Sequence, residues 1–69
     1  MNKFVQEAIE TLGKQLLAEA CGVSQNAVSK WLNGGAISLE NALRIEKATK
    51  GKVKAEDISP EFSHLLSRT

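Results

Sequence analysis

The sequence has one cysteine, Cys21, and one proline, Pro60. A lone cysteine leaves no disulfide framework within the chain and makes a reducing, cytoplasmic setting the expected one. So little proline, with no run of β-branched or aromatic residues, points to helices. No apolar stretch approaches the roughly 18 residues of a membrane span. The N-terminus opens on Asn2, Lys3 and Phe4 and soon reaches Glu7 and Glu10, so a secretory signal is not expected. There is no low-complexity segment and no internal repeat. A strong charge of either sign is also missing. The formal net charge is +1, which by itself argues mildly against a nucleic-acid partner, since many such proteins are strongly basic. No nucleophile–base pair, metal-ligand set or phosphate loop can be seen, so neither an enzyme nor a cofactor is expected.

What is present fits one small domain over residues 1–69. A chain of this size buries only about 60% of its unfolded surface, so a core leaves no room for a deep catalytic cavity as well. The apolar fraction of 42% and the charged fraction of 25% are ordinary for a soluble globular chain. The placement of charge says more than its sum. From Ala20 to Leu39 there is no acidic residue, and Lys30 lies inside that window. Acids lie elsewhere, among them Glu7, Glu10, Glu40, Glu46, Glu56, Asp57 and Glu61. A nearly neutral chain can therefore present one face free of negative charge.

Helical periodicity and capping residues predict an all-α bundle of about five short helices. The first covers about Asn2–Leu12, with Phe4, Val5, Ala8, Ile9 and Leu12 inward and Asn2 as N-cap. The second covers Lys14–Cys21, with Leu16, Leu17, Ala20 and Cys21 on its apolar stripe. Gly22 ends it, because glycine permits the left-handed backbone of a sharp reversal. Ser24 caps a third helix to about Asn33, with Ala27, Val28, Trp31 and Leu32 inward. Ser38 caps a fourth, buried through Leu39, Ala42, Leu43, Ile45 and Ala48 and ended by Gly51. Lys52–Lys54 is a short connector with Val53 on the core, and Ala55–Ile58 a single turn. Ser59-Pro60-Glu61 reads as N-cap, N1 proline and N2 acid of a last helix over about 60–66, with Phe62, Leu65 and Leu66 inward. Ser67, Arg68 and Thr69 are expected to fray.

The informative stretch is Lys14–Asn33. Two helices joined by a glycine-containing turn of three or four residues form a helix-turn-helix. Ala18 is small where the helices meet, Gly22 makes the turn, Val23 anchors it, Val28 fills the angle and Trp31 closes the far end. The other side of the third helix carries Gln25, Asn26, Ser29, Lys30 and Asn33 at helical spacing. All of these have side-chain hydrogen-bond donors and none would repel phosphate. Gln and Asn pair bidentately with adenine in the major groove, Lys reaches guanine or phosphate, and Ser serves either. An idle surface helix more often carries Glu–Lys pairs.

The run from Gly13 to Leu32 resembles the Cro repressors of lambda-like phages and the prophage-borne YdaS-like regulators. Leu43 to Val53 and Asp57 to Glu61 look like the rest of that group, so the resemblance covers nearly the whole chain. It implies a lambda repressor-like DNA-binding fold and a transcriptional repressor of phage or prophage origin. It further implies a homodimer, at least on DNA, bound to a pseudo-palindromic operator. By position, Gln25, Asn26, Ser29 and Lys30 would contact bases, and Lys14, Gln15, Ser24 and Asn33 the backbone. Two positions depart from the pattern. Lys14 stands where many members have glutamine, and Cys21 where leucine is commoner.

The remaining residues read as scaffold. Trp31 and Cys21 fall on apolar stripes, and His64 has no second ligand to make a metal site. Lys50, Lys52 and Lys54 form either a phosphate-binding flank or a solvated connector. Glu56, Asp57 and Glu61 form a small acidic patch with no pocket for acid–base work. Two rival functions stay open: an antitoxin-type DNA-binding regulator whose main partner is a toxin, and a helical protein-interaction module without DNA binding.

Overall fold

A computed structural model describes residues 1–65 of the protein. Five α-helices succeed one another: α1 (Lys3–Leu12), α2 (Lys14–Cys21), α3 (Gln25–Leu32), α4 (Leu39–Ala48) and α5 (Ala55–Ile58). A 3-10 helix, Pro60–Leu65, comes after them, and there is no strand among the described residues. The all-α expectation holds. α2 packs on α1, α3 and α4, which puts it at the centre of the bundle.

The starts of α1, α3 and α4 are each set by a side chain that satisfies orphan backbone N–H groups. Asn2 Oδ1 accepts from Phe4 N and Val5 N at 3.0 and 3.2 Å. Ser24 Oγ accepts from Ala27 N, and Ser38 Oγ from Asn41 N, both at 3.2 Å. The ends of α2, α3 and α4 share one pattern. A residue with positive φ donates back three positions and its successor donates back five, as in a Schellman motif. Gly22 (φ 68) and Val23 do this on α2, bonding Glu19 O and Ala18 O. Gly34 (φ 101) and Gly35 bond Trp31 O and Lys30 O at the end of α3. On α4 the left-handed position falls on Lys50 (φ 56), one residue ahead of Gly51. The reversal expected at Gly51 thus begins on a lysine.

One core holds the elements together. Leu17, Ile45, Val5, Val28 and Val53 are fully buried, with Trp31, Ile37, Ile58, Cys21 and the small Ala8, Ala18, Ala42 and Ala55 around them. Burying each of the larger aliphatic side chains contributes about 1.5–3 kcal/mol relative to leaving it in water. Polar ties close the gaps between elements. Asn2 N donates to Leu32 O at 2.8 Å and Asn2 Nδ2 to Ile58 O at 3.4 Å, so one residue joins α1, the end of α3 and α5. Glu46 Oε1 accepts from Ala55 N at 2.8 Å, capping α5 from α4. The buried Thr49 hydroxyl bridges Ile45 O and Val53 N.

Four expectations change. Leu16 is 57% exposed and Ala20 is also exposed, because the buried arc of α2 runs through Leu17, Ala18 and Cys21. Leu43 lies at the solvent edge of α4 and not inside. Ser59 does not cap the final helix. Its side chain is buried and donates to Ile37 O at 3.3 Å. That final element is a 3-10 helix with Phe62 half-buried and Leu65 60% exposed. The inward role expected for Leu66, and the fraying of 67–69, lie outside the described residues. No helix among the described residues is long and apolar enough to cross a membrane.

Candidate functional site

α2 and α3 are joined by Gly22, Val23 and Ser24 and pack on each other. The turn works because Gly22 adopts the left-handed conformation, Val23 packs partly against the core and Ser24 is extended and caps α3. Val28 and Trp31 point α3's apolar side inward. The opposite side is thereby fixed toward solvent.

Gln25, Asn26, Lys30 and Asn33 are exposed on that side. Ser29 sits among them, one turn after Gln25 and one before Asn33, and is half-buried. Lys14 meets its side chain there. Its ammonium reaches from the first position of α2 and donates to Ser29 Oγ at 2.9 Å. Gln15, beside Lys14, is exposed. Ser24 spends its side-chain oxygen on the cap. The structure therefore brings Lys14, Ser29 and the row Gln25–Asn33 onto one surface. Gln15 and Ser24 lie at the ends of the helices that bound it.

No acid interrupts this surface, and Lys30 adds positive charge in the last turn of α3, where the helix dipole favours a cation. The arrangement can offer donors to a ligand rich in acceptors or negative charge. Cys21 takes no part. It is buried, and desolvation pushes its thiol upward against the lowering effect of Arg44, so it stays protonated at neutral pH. His64 is exposed, far along the chain on the 3-10 helix. Lys50, Lys52 and Lys54 are exposed around the α4–α5 connection.

Two contacts of the site have no signal in the sequence. The Lys14–Ser29 bond spans 15 positions and has no periodic signature. Arg44 of α4 donates to Cys21 O at 3.3 Å, tying the end of α2 just before the turn. Its charge next to Glu40 suggests only a surface pair.

No curated protein and no solved structure matches the chain. A family described as Bacterial toxin YdaS matches residues 5–64. That span begins inside α1, includes α2, α3, α4 and α5 whole and ends within the 3-10 helix. The chain belongs to the family described as Bacterial toxin YdaS.

Proposed function

We propose that the protein is a sequence-specific, double-stranded DNA-binding transcriptional repressor of Cro type. α2 and α3 form its helix-turn-helix, and α3 reads the operator's major groove. The observation that carries this reading is the outer side of α3: Gln25, Asn26, Lys30 and Asn33 exposed, Ser29 between them, and no acid anywhere on it. Amide side chains at the start of α3 suit bidentate contact with adenine, and lysine suits guanine or phosphate. Gln15 and Ser24 beside the row, and Asn33 at its end, serve the sugar–phosphate backbone. In this reading no chemistry is performed and no cofactor is needed. The protein works in the cytoplasm, on DNA.

Two subunits would occupy a pseudo-palindromic operator with half-sites one helical turn apart, roughly 34 Å. Occupancy would block polymerase at an overlapping promoter. Binding would weaken with salt, because each neutralised phosphate releases counterions.

Selection of duplexes from a random pool at about 100 mM salt, a concentration at which backbone contacts still count, tests the reading. Enrichment of a palindrome with half-sites about 10 base pairs apart is expected. A single unrepeated site would keep the DNA role and remove the dimer. No enrichment and no salt-sensitive binding would leave a helical protein-interaction module.

The family's description as a toxin favours a second reading, in which the chain's expression arrests growth. Expression of the chain alone in growing bacteria, compared with Lys30→Glu, separates the two. Arrest relieved by the substitution would make the toxicity a consequence of DNA binding. Arrest unaffected by it would make the toxicity independent of α3. Stable co-purification with a neighbouring gene product would instead favour a toxin–antitoxin pair.

A further inference from the structure

Lys14 occupies a position that does nothing for its own helix. It is the first residue of α2, where the helix dipole disfavours a cation, and the first turn of α2 holds no acid to offset it. Its side chain runs instead to the middle of α3, where Nζ lies 2.9 Å from Ser29 Oγ. An ammonium can only donate, so the serine oxygen is the acceptor. That leaves the Ser29 hydroxyl hydrogen and two ammonium hydrogens uncommitted to each other. Both side chains are half-buried, and the contact restricts a long lysine before any ligand arrives. Restriction in the free protein lowers the entropy cost of binding.

We infer that Lys14 and Ser29 act as one donor-rich reading unit that recognises guanine, with Lys14 determining sequence specificity and not clamping the backbone. The inference rests on the DNA-reading role proposed for α3. Guanine offers two adjacent acceptors in the major groove, N7 and O6. Adenine and cytosine present an amino donor there, which the Lys14 ammonium, with no acceptor of its own, cannot pair with. Thymine offers one acceptor beside a methyl group. Gln25 and Asn26 hold a donor and an acceptor each and so suit adenine. The reading surface thus splits into two chemistries: amides at the start of α3, and a paired ammonium and hydroxyl at its middle.

The test uses the full chain and the duplex it selects. Each guanine of the half-site is replaced in turn by 7-deazaguanine, which lacks N7. At one guanine the wild-type protein is expected to lose affinity on the order of tenfold, the size of one good base contact. Lys14→Ala should bind the normal and the 7-deaza duplex alike at that position, while preferences elsewhere persist. Ser29→Ala should lose the same discrimination, and the double variant should lose little more, as expected for two groups acting together. Lys14→Gln provides a gain-of-function arm. It can still donate to Ser29 but also presents an acceptor, so the preferred base at that position should move from guanine toward adenine. Thermal unfolding of each variant separates misfolding from lost recognition. Uniform weakening of all duplexes by Lys14→Ala, with the salt slope reduced by about one, would make Lys14 a phosphate contact and overturn the inference while leaving α3 as reader. Failure of the wild-type protein to select any duplex would overturn the DNA-reading role itself.

Discussion

α3 and α4 each bury one side against the same core, and their outer sides obey opposite rules. On α4, Glu40 pairs with Arg44 one turn later, and Arg44 also reaches Asn41 Oδ1 and the carbonyl of Cys21. The exposed charges of Glu40 and Arg44 are thus spent on the protein itself. On α3, the side chains of Gln25, Asn26, Lys30 and Asn33 face solvent without an acid beside them. Pairs four residues apart stabilise a helix by a few tenths of a kcal/mol, so α3 forgoes a small local gain that α4 takes. The contrast teaches where to look for recognition: on the helix whose polar groups are left available, not on the one with more charge.

The sharpest way to break the contrast is to exchange charges. Lys30→Glu puts an acid at the centre of the α3 surface. We expect duplex affinity to fall on the order of a hundredfold, since a like charge facing phosphate costs several kcal/mol. Lys47→Glu on α4 makes the same change of charge in the last turn of its helix. It should cost stability on the order of 0.3–1 kcal/mol through the helix dipole and leave affinity nearly unchanged. Titration of one duplex with both variants at fixed salt decides. Equal losses would mean that net charge, not the α3 surface, governs binding.

How far this surface is legible in the sequence depends on the range of the interactions involved. Helix limits are legible because Asn2, Ser24, Ser38 and Gly22 act on neighbours a few residues away. The outward set on α3 is legible because Val28 and Trp31 fix its phase. Leu16 defeats a periodic reading, since periodicity cannot say which arc of a helix its three neighbours will cover. Ser59 defeats it because its partner, Ile37 O, lies 22 positions away. Local pattern assigns it a cap, and tertiary packing takes the hydroxyl instead. The Lys14–Ser29 bond escapes for the same reason. Both residues are expected at the interface from their positions, but nothing local reveals that they meet.

The helix ends offer the next contrast. α2 makes its left-handed turn with Gly22, and α4 makes one with Lys50. Nothing lies within 4 Å of a Cβ built on Gly22, so Gly22→Ala meets no clash and only backbone strain. Strain of about 1–2 kcal/mol, less the about 0.5–1 kcal/mol that alanine recovers by restricting the unfolded chain, leaves an expected destabilisation of about 0.5–1 kcal/mol in chemical denaturation. Lys50→Gly runs the other way. It relieves the same strain but adds glycine's unfolded-state entropy, for a net gain of about 0.5–1 kcal/mol. A loss of stability in Lys50→Gly would mean that the lysine side chain holds the turn more firmly than its backbone strains it.

The smallest effects belong to the outer side of α4, and they separate two jobs that Arg44 combines. Glu40→Gln removes the ion pair but leaves Arg44 free to keep its bond to Cys21 O. Both side chains of the pair are well exposed, at 47% and 71%, so solvent already screens it. The expected loss is below about 0.5 kcal/mol. Arg44→Ala removes the carbonyl contact as well and should cost more, with a charged hydrogen bond at the end of α2 at stake. The carbonyl lies immediately before Gly22, so its loosening should also reach the α2–α3 angle. Denaturation curves for the two variants, read beside their affinity for one duplex, test this directly. If Glu40→Gln is neutral and Arg44→Ala lowers stability and affinity together, α4 supports the reading surface through the backbone of α2. If the two variants behave alike, Arg44 is only half of a surface pair, and α3 keeps its orientation through the buried contacts of Leu17, Val28 and Trp31 alone.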